Sequence, residues 1–471
     1  MKVFISGKFK VIHTGHMRLF RFAQELGGDL VVGLDVTSLG EDEKKWRRGI
    51  LENLEYVSSV VEFSGEVVNI IREIEPDIVL KGQEFKGKVN AEENVLREFG
   101  GKLVFTAGSN FFTETDLIQE SSHRSLAHRI EIPLDFTSRN NVSREKLSKV
   151  VESFRSLKVC VIGDLIIDEY INCHPLGMSQ ESPSIVVTPI DSKRFFGGAG
   201  IVAAHCQSLG ADTTLITVMG KDEISSWSKR SAEDYGVKLK AQLVEGRQTT
   251  LKQRYLSGSQ VLLRVSHLSQ NLLDEDQEKL IVEQFREICD KLDVLIFSDF
   301  SYGVLSPWVV ANISKIASEK GILVSADSQS SSQMGDLSKY CDLDLITATE
   351  HEARVELKDY SSGVAVIAEK LRLSLKSESV FLKMGPDGIL ISSQEPNGKI
   401  IETEKIDALN KIPVDNSGAG DSMLAAASMA LACDATIQEA ALLGSLVAAI
   451  QVGRLGNVPI EVDSVLKIIH S

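Results

Sequence analysis

The chain lacks long hydrophobic runs. None of its apolar stretches approaches the roughly 20 residues that a membrane-spanning helix requires, which argues against a helical membrane protein. The N-terminal MKVFISGKFK is too short in its apolar part for a signal peptide and is expected to form a first strand, in a cytoplasmic protein. Paired cysteines are also missing. Cys160, Cys173, Cys206, Cys289, Cys341 and Cys433 are scattered, without a CxxC pair and mostly inside apolar segments. That pattern fits reduced, buried thiols and argues against a structural zinc site. Positive charge is in short supply, with 51 Lys and Arg against 66 Asp and Glu and a net charge of −15. Nucleic-acid backbones need concentrated Lys and Arg, so nucleic acid is not an expected partner. One local exception, Lys44-Lys45-Trp46-Arg47-Arg48, reads either as a solvated loop or as a clamp for a small phosphorylated ligand.

What is present is a soluble globular composition, 43% hydrophobic and 25% charged, in 471 residues, enough for two to four domains. Residues 1–120 alternate short β-branched runs (KVFIS, DLVVGLD, SVVEF, DIVLKG, KLVFTA) with segments of helical spacing (HMRLFRFAQELG, LENLEYV, VVNIIREIEP, NAEENVLREFG). This rhythm predicts an α/β domain with a parallel sheet whose ligands bind beyond the C-terminal strand ends. The first strand runs directly into Gly7-Lys8-Phe9-Lys10-Val11-Ile12-His13-Thr14-Gly15-His16 and then a helix. His13 and His16 thus straddle a glycine where backbone N–H groups meet a phosphate, a placement suited to paired imidazoles.

Residues 121–155 read as a polar, weakly periodic join followed by an amphipathic helix introduced by Ser143. From Lys158 the α/β rhythm restarts. Asp164 and Asp168 follow a buried strand, as turn residues or acceptors for sugar hydroxyls. Gly197-Gly198 precede a small-residue helix and allow close approach of a ligand or of another backbone segment. Residues 231–268 are expected to leave the sheet as an antiparallel lid. Four further strand-then-loop units place Asp299, Asp327, Glu352 and Gly385 at strand ends, a series that suggests one crevice for a divalent cation and a nucleotide.

The most specific string is Asp415-Asn-Ser-Gly-Ala-Gly-Asp421, which opens an alanine-rich helix. It reads either as a glycine turn capping a core helix or as an anion cradle. In the second reading the N–H groups of Gly418, Ala419 and Gly420 close around an anion at the helix N-terminus. Asp421 then stands beside that anion as a proton acceptor, the arrangement needed for phosphoryl transfer to a hydroxyl.

Two family resemblances follow from these strings. GxF…HxGH, the basic stretch and PDIVLKG resemble the cytidylyltransferase-type nucleotidyltransferases, with a Rossmann-like α/β domain over residues 1–130. That resemblance implies His13 and His16 as catalytic phosphate-holding residues. It implies nucleotide or phosphate contacts for Gly7, Phe9, Lys44, Lys45, Arg47, Arg48, Thr113 and Thr115. The chain departs from that family at Lys10, at Gln83-Glu84 and at Glu114.

After a linker and opening helix over 131–155, residues 156–471 resemble the ribokinase-like (PfkB) carbohydrate kinases, an α/β/α sandwich with a small β lid. GDLIIDEY, SQESPSIVV, FFGGAGIVAAHCQSLGA, SDFSYGVLSP and AAIQVGRLGN carry this likeness beside DNSGAGD. They look most similar to the kinase of the bifunctional heptose-phosphate kinase/nucleotidyltransferases of ADP-heptose synthesis for lipopolysaccharide, in reversed domain order. The resemblance implies Asp421 as base and Gly418, Ala419 and Gly420 as anion hole. It also implies sugar contacts at Asp164, Asp168, Gly197 and Gly198, nucleotide contact at Gly385, and Mg²⁺ positioned through water by Glu352. Departures fall at Ile201, Tyr302 and Thr349.

Together the resemblances imply phosphorylation of D-glycero-D-manno-heptose 7-phosphate at the anomeric position with MgATP. They also imply nucleotidyl transfer to a sugar 1-phosphate, in a homodimer paired through the lid. The other readings are a different sugar or polyol phosphate with CTP, or an active kinase beside a transferase domain serving binding or oligomerisation.

Overall fold

The computed structural model describes residues 1–10, 12, 14–26, 28–37, 39–81, 90–105, 130–179, 181–182, 184–257, 260–269, 271–329, 335–393 and 403–470. They form two compact units. One holds the described residues within 1–125 with Asn172–Thr188 and Leu256–Val261; the other holds those within 126–171, Pro189–Tyr255 and those within 262–471. Among the described residues no helix is long and apolar enough to cross a membrane.

In the first unit, β1 (Lys2–Gly7), β2 (Asp29–Asp35), β3 (Ser59–Phe63), β4 (Ile78–Lys81) and β5 (Lys102–Phe105) form a parallel sheet in the order β3-β2-β1-β4-β5. The helices are α1 (Thr14–Glu25), α2 (Glu41–Glu52), α3 (Val67–Ile74) and α4 (Ala91–Phe99). The period of two divides each strand between two cores. Val3 and Ile5 join Phe20, Leu30 and Val32, whereas Phe4 joins Val31, Ile71 and Val79. Strand order reverses at β1 and β4, so the crevice opens past the C-terminal end of β1, where Gly7 ends the strand and Phe9 and His16 follow. α2 begins ahead of the expected LENLEYV helix. Glu41, Asp42 and Glu43 fill its first turn, where the helix dipole favours acidic residues.

The second unit opens with α5 (Leu134–Arg139) and α6 (Arg144–Ser153). Ser143 caps α6, its side chain accepting from the Lys146 N–H. Ile130, Phe136, Leu147, Val151 and Phe154 are buried in the same core as the sheet that follows.

That sheet runs β10-β9-β6-β13-β14-β15-β16-β17-β18. Its strands are β6 (Lys158–Gly163), β9 (Asp212–Gly220), β10 (Lys238–Val244), β13 (Val294–Asp299), β14 (Leu323–Ser328), β15 (Leu345–Thr349), β16 (Ser379–Lys383), β17 (Ile389–Ser393) and β18 (Glu404–Ile406). Between them in the chain, β7 (Leu165–Met178), β8 (Ile185–Gly198), β11 (Thr250–Ser257) and β12 (Gln260–His267) form a separate sheet in the order β12-β11-β7-β8, the lid. The lid therefore differs from the expected 231–268. Residues 238–244 stay in the main sheet, paired in parallel with β9 from Lys238↔Thr214 to Val244↔Gly220. The alternation of KLKAQLV reflects an edge strand carrying lysines, a device that blunts an exposed edge.

The remaining helices are α7 (Ala199–Ser208), α8 (Glu223–Asp234), α9 (Glu275–Arg286), α10 (Pro307–Lys320), α11 (Glu350–Leu357), α12 (Val364–Leu375), α13 (Ala419–Ala432), α14 (Ile437–Val452) and α15 (Val462–His470). They cover both faces. Val159 and Val161 of β6 pack with Leu424 and Leu443, while Cys160 and Ile162 pack with Ile281, Phe285 and Ile313. Small residues let α13 lie close against α14: a Cβ on Gly444 would sit 3.0 Å from Met423 Cγ and 3.3 Å from Ala427 Cβ. This three-layer α/β/α arrangement places the start of α13 beside the ends of β14 and β16.

Candidate active site

The site is built on the turn into α13. Gly418 caps the helix with φ of 75°, and a Cβ there would collide with Asn457 Oδ1. Only glycine meets both conditions without strain. The first N–H groups of the helix follow, without intrahelical partners. Asp415 shapes the turn: it accepts from the Ser417 N–H at 2.9 Å and the Gly456 N–H at 3.1 Å. Burial pushes the Asp415 carboxyl up, but those N–H groups and the Ser417 side chain hold it below the ordinary carboxylate range. Gln451 Nε2 donates to the carbonyls of Ser417 at 3.2 Å and Gly456 at 2.9 Å, closing the turn from behind.

Asp421 is buried at the start of this helix. Gln329 Nε2 donates to its Oδ1 at 2.9 Å and also to Asp327 Oδ2 at 3.1 Å. Lys383 Nζ holds both Asp327 oxygens, at 2.8 and 2.9 Å. Burial raises the Asp421 pKa to about 7, helped by the Asp327 charge and opposed by Lys383. The carboxylate is thereby poised to take a proton near neutral pH.

Asp168 comes in from β7. Arg254 Nη2, on β11, donates to its Oδ1 at 3.3 Å, and its Oδ2 lies 2.5 Å from where a Cβ on Gly197 would stand. Arg254 Nη1 also donates to Tyr170 Oη at 2.7 Å and Ser417 Oγ at 2.9 Å, with the guanidinium 4.9 Å from the Tyr170 ring centroid. Tyr170 Oη in turn donates to Asp415 Oδ2 at 3.3 Å. Two lid strands are thus wired to the turn that forms the cradle.

Asp164 departs from expectation. Its Oδ2 accepts from the N–H groups of Phe300 at 2.9 Å and Tyr302 at 3.1 Å, and its Oδ1 from Val304 at 3.3 Å. At 2% exposure it organises the 300–304 loop and offers no free face to a sugar. Burial and the nearby Asp299 carry its pKa to about 6 against those three N–H groups. Gly198 caps α7 beside the Asp164 carbonyl, which accepts from the Ala199 N–H at 3.0 Å.

Glu352 forms a capping box with Thr349: its Oε2 accepts from the Thr349 N–H at 2.7 Å, and its own N–H donates to Thr349 Oγ1 at 3.2 Å. Among the described residues no group of three or more His, Cys, Asp or Glu could hold a metal. Glu352 lies close enough to Asp327 and Lys383 to act on both electrostatically, which puts its carboxylate in the neighbourhood of the cradle. Gly385, at φ of 59°, turns the chain just past β16 with nothing within 4 Å of a built Cβ. The departures have structural accounts as well. Ile201 is fully buried core, Thr349 is a helix cap, and buried Tyr302 lies beneath Lys252 Nζ, 5.3 Å from its ring centroid.

In the first unit, His13, Thr113 and Thr115 lie outside the described residues, as do Gln83, Glu84 and Glu114. Phe9 has φ of 43° and is buried, its ring centroid 5.0 Å from that of half-buried His16. Its side chain belongs to the core, so only its backbone is available to a ligand. The basic stretch is helical, neither a loop nor an open clamp. Lys44 pairs with Glu62 at 2.9 Å, and Arg48 pairs with Glu52 at 2.7 Å and Glu62 at 3.0 Å, while Lys45 is exposed. Arg47 is buried, bonded to Glu43 and donating to the Lys8 carbonyl at 2.7 Å, which fixes the loop after β1. Arg47→Ala should therefore lower stability by about 2–3 kcal/mol in chemical denaturation of the first unit, with Lys45→Ala within about 0.5 kcal/mol. Equal effects would remove the structural role.

Lys383, Gln329, Arg254 and Tyr170 were not singled out from sequence. A lysine ending the apolar FLK run, and Lys252 and Arg254 alternating along one strand face, were the available signals.

A helix-terminal anion cradle, a buried carboxylate poised near neutrality and a lid over a parallel α/β sheet define a phosphotransferase that acts on a hydroxyl. Residues 156–461 match the pfkB family of carbohydrate kinases, and the chain belongs to that family. It is 30% identical over 316 residues to the Bifunctional protein HldE of Desulfatibacillum aliphaticivorans, covering 66% of this chain and 63% of the relative. It is 28% identical over 321 residues to the protein of that name from Citrifermentans bemidjiense, covering 67% and 64%. The matches thus span less than two thirds of either relative's length. Among solved structures, Escherichia coli phosphofructokinase-2 in complex with potassium is 18% identical with a TM-score of 0.54, covering 67% of this chain and 98% of that one. Thermotoga maritima ribokinase is 20% identical with a TM-score of 0.52, covering 67% and 100%. These two share the fold.

Proposed function

We propose that the second unit transfers the γ-phosphoryl group of ATP to a sugar hydroxyl, and the observation that carries this is Asp421, buried and poised near pH 7 beside the α13 cradle. The hydroxyl proton passes to the Asp421 carboxylate as the sugar oxygen bonds to phosphorus and the bond to the ADP oxygen breaks. The N–H groups of Gly418, Ala419 and Gly420 hold the phosphoryl oxygens. Asp168, backed by Gly197, accepts from sugar hydroxyls. Glu352 and Gly385 flank the nucleotide, and Mg²⁺, when bound, screens charge on the phosphates. The acceptor to test first is D-glycero-D-manno-heptose 7-phosphate, phosphorylated at its anomeric position, because the second unit resembles heptose-phosphate kinases.

The first unit is proposed to transfer a nucleotidyl group from ATP or CTP to a sugar 1-phosphate, releasing pyrophosphate, with His13 and His16 on the phosphates. Its order 3-2-1-4-5, with His16 past β1, supports this reading. In this scheme residues 1–130 are the transferase, 131–155 the connection and 156–471 the kinase. Two copies pair through the lid, where Ile190 and Leu263 are exposed.

Full-length protein with MgATP should release ADP and give a new anomeric phosphate resonance with the heptose phosphate, within a panel of hexoses, heptoses and their phosphates. ADP release independent of every acceptor would refute the kinase reading. Separately, pyrophosphate release should appear with nucleoside triphosphates and sugar 1-phosphates and be lost in His16→Ala. Silence across that panel leaves the first unit a binding or oligomerisation module.

A further inference from the structure

The scheme above gives no task to Lys383, a buried cation beside the cradle. Lys383 ends β16 with its side chain 11% exposed. Two of its three N–H directions go to the two oxygens of Asp327, at 2.8 and 2.9 Å. The same ammonium lies against Gly420 of the cradle. A Cβ built on Gly420 would stand 3.1 Å from Lys383 Nζ, nearer than the 3.7 Å to Asp327 Oδ2. Gly420 is the second residue of α13, so the charge abuts the backbone whose N–H groups line the anion site. Helix N–H groups close the cradle from one side, and the ammonium reaches it from the sheet side.

Burial pulls the Lys383 pKa down, but Asp327 and Glu352 outweigh it and raise it above the ordinary lysine value, so the side chain stays protonated. An ion pair with no further purpose gains little in a buried site, since desolvation cancels much of the attraction. A fixed cation at the cradle gains value when negative charge arrives there, because it needs no reorganisation at the moment of transfer.

We infer that Lys383 is a catalytic residue of the phosphotransfer: its remaining N–H donates to an oxygen of the group in flight, making it the cationic wall of the Gly418–Gly420 cradle. This rests on the kinase reading. It also restricts the contact to the transferred phosphoryl group, leaving the α- and β-phosphates of the nucleotide to other residues.

The test is binding to full-length protein, with Mg²⁺, of three probes: ADP, a non-hydrolysable ATP analogue with an imido bridge, and ADP with aluminium fluoride. One charge-assisted hydrogen bond corresponds to roughly a 10- to 100-fold change. Lys383→Met should weaken the ATP analogue and the fluoride complex by that factor while ADP stays within about twofold. Lys383→Arg should restore most of the loss. Thermal unfolding of each variant checks folding. Should the single methionine variant fail to fold, Asp327→Asn combined with Lys383→Met removes both buried charges and should show the same discrimination. Equal weakening of all three probes, or no weakening of any, overturns the inference and leaves Lys383 a counter-ion of Asp327. Wild-type protein that binds none of the probes refutes the kinase reading instead.

Discussion

Asp421→Asn is expected to lower turnover by about a hundredfold or more, leave MgATP binding largely intact, and make the protein more stable above pH 7. The isosteric amide oxygen still accepts from Gln329 Nε2, so the cradle keeps its shape. What disappears is the ability to take the sugar proton. The stability gain has a defined sign. Burial first, then Asp327, raise the Asp421 pKa from 3.8 to about 7 in the folded protein. Below pH 4 the group is protonated folded or unfolded, so substitution changes little there. Between pH 4 and 7 the unfolded chain has released the proton while the folded chain retains it, so wild-type stability falls as pH rises. Above pH 7 the folded protein carries the full cost of a buried carboxylate, on the order of 4 kcal/mol. Denaturant titrations at pH 5 and pH 8 measure it: the amide variant should gain more at pH 8. Wild-type kcat should rise with pH through about 7. A gain confined to low pH, or unchanged turnover, would assign the base elsewhere.

The divergence between sequence and structure follows from how far each feature reaches along the chain. DNSGAGD was legible because the cradle, its glycine at positive φ and the carboxylate are local: seven consecutive residues contain the cap, the donors and the base. Strand identity was legible because single strands such as KVCVIG alternate Cys160 and Ile162 with Val159 and Val161 between two cores. Gln329 and Lys383 were not, because each acquires its meaning from partners far away: Gln329 meets Asp421 across 92 positions and Lys383 meets Asp327 across 56. Asp164 was left open between a turn residue and a sugar acceptor for the same reason. A carboxylate past a buried strand could serve solvent, a sugar or the backbone, and three N–H groups from a loop some 136 to 140 residues later decide for the backbone. Arg47 illustrates the converse case. In sequence it is one of four neighbouring cations, and only the fold separates the buried one from exposed Lys45.

Gly418→Ala is the second substitution with a large expected effect, again about a hundredfold or more in turnover, from geometry without any change of charge. Two costs coincide at this position. A residue with a Cβ at φ of 75° carries roughly 1–2 kcal/mol of backbone strain, and the same Cβ meets Asn457 Oδ1. Asn457 is itself buried at 4% exposure and has no open side to retreat to. The turn must then shift, and the shift falls on the first N–H groups of α13. Losing one well-placed oxyanion donor typically costs 10²–10³ in turnover. Asn457→Ala in the alanine background removes the collision but leaves the backbone strain, so partial recovery, about tenfold, should result. Gly321→Ala separates the two costs. Its φ of 65° is similar, but nothing lies within 4 Å of a built Cβ and it caps α10 far from α13 in sequence. It should lose about 1 kcal/mol of stability with turnover preserved. Turnover loss in Gly321→Ala matching that of Gly418→Ala would mean that backbone strain anywhere in the unit suffices, and the cradle would lose its special standing.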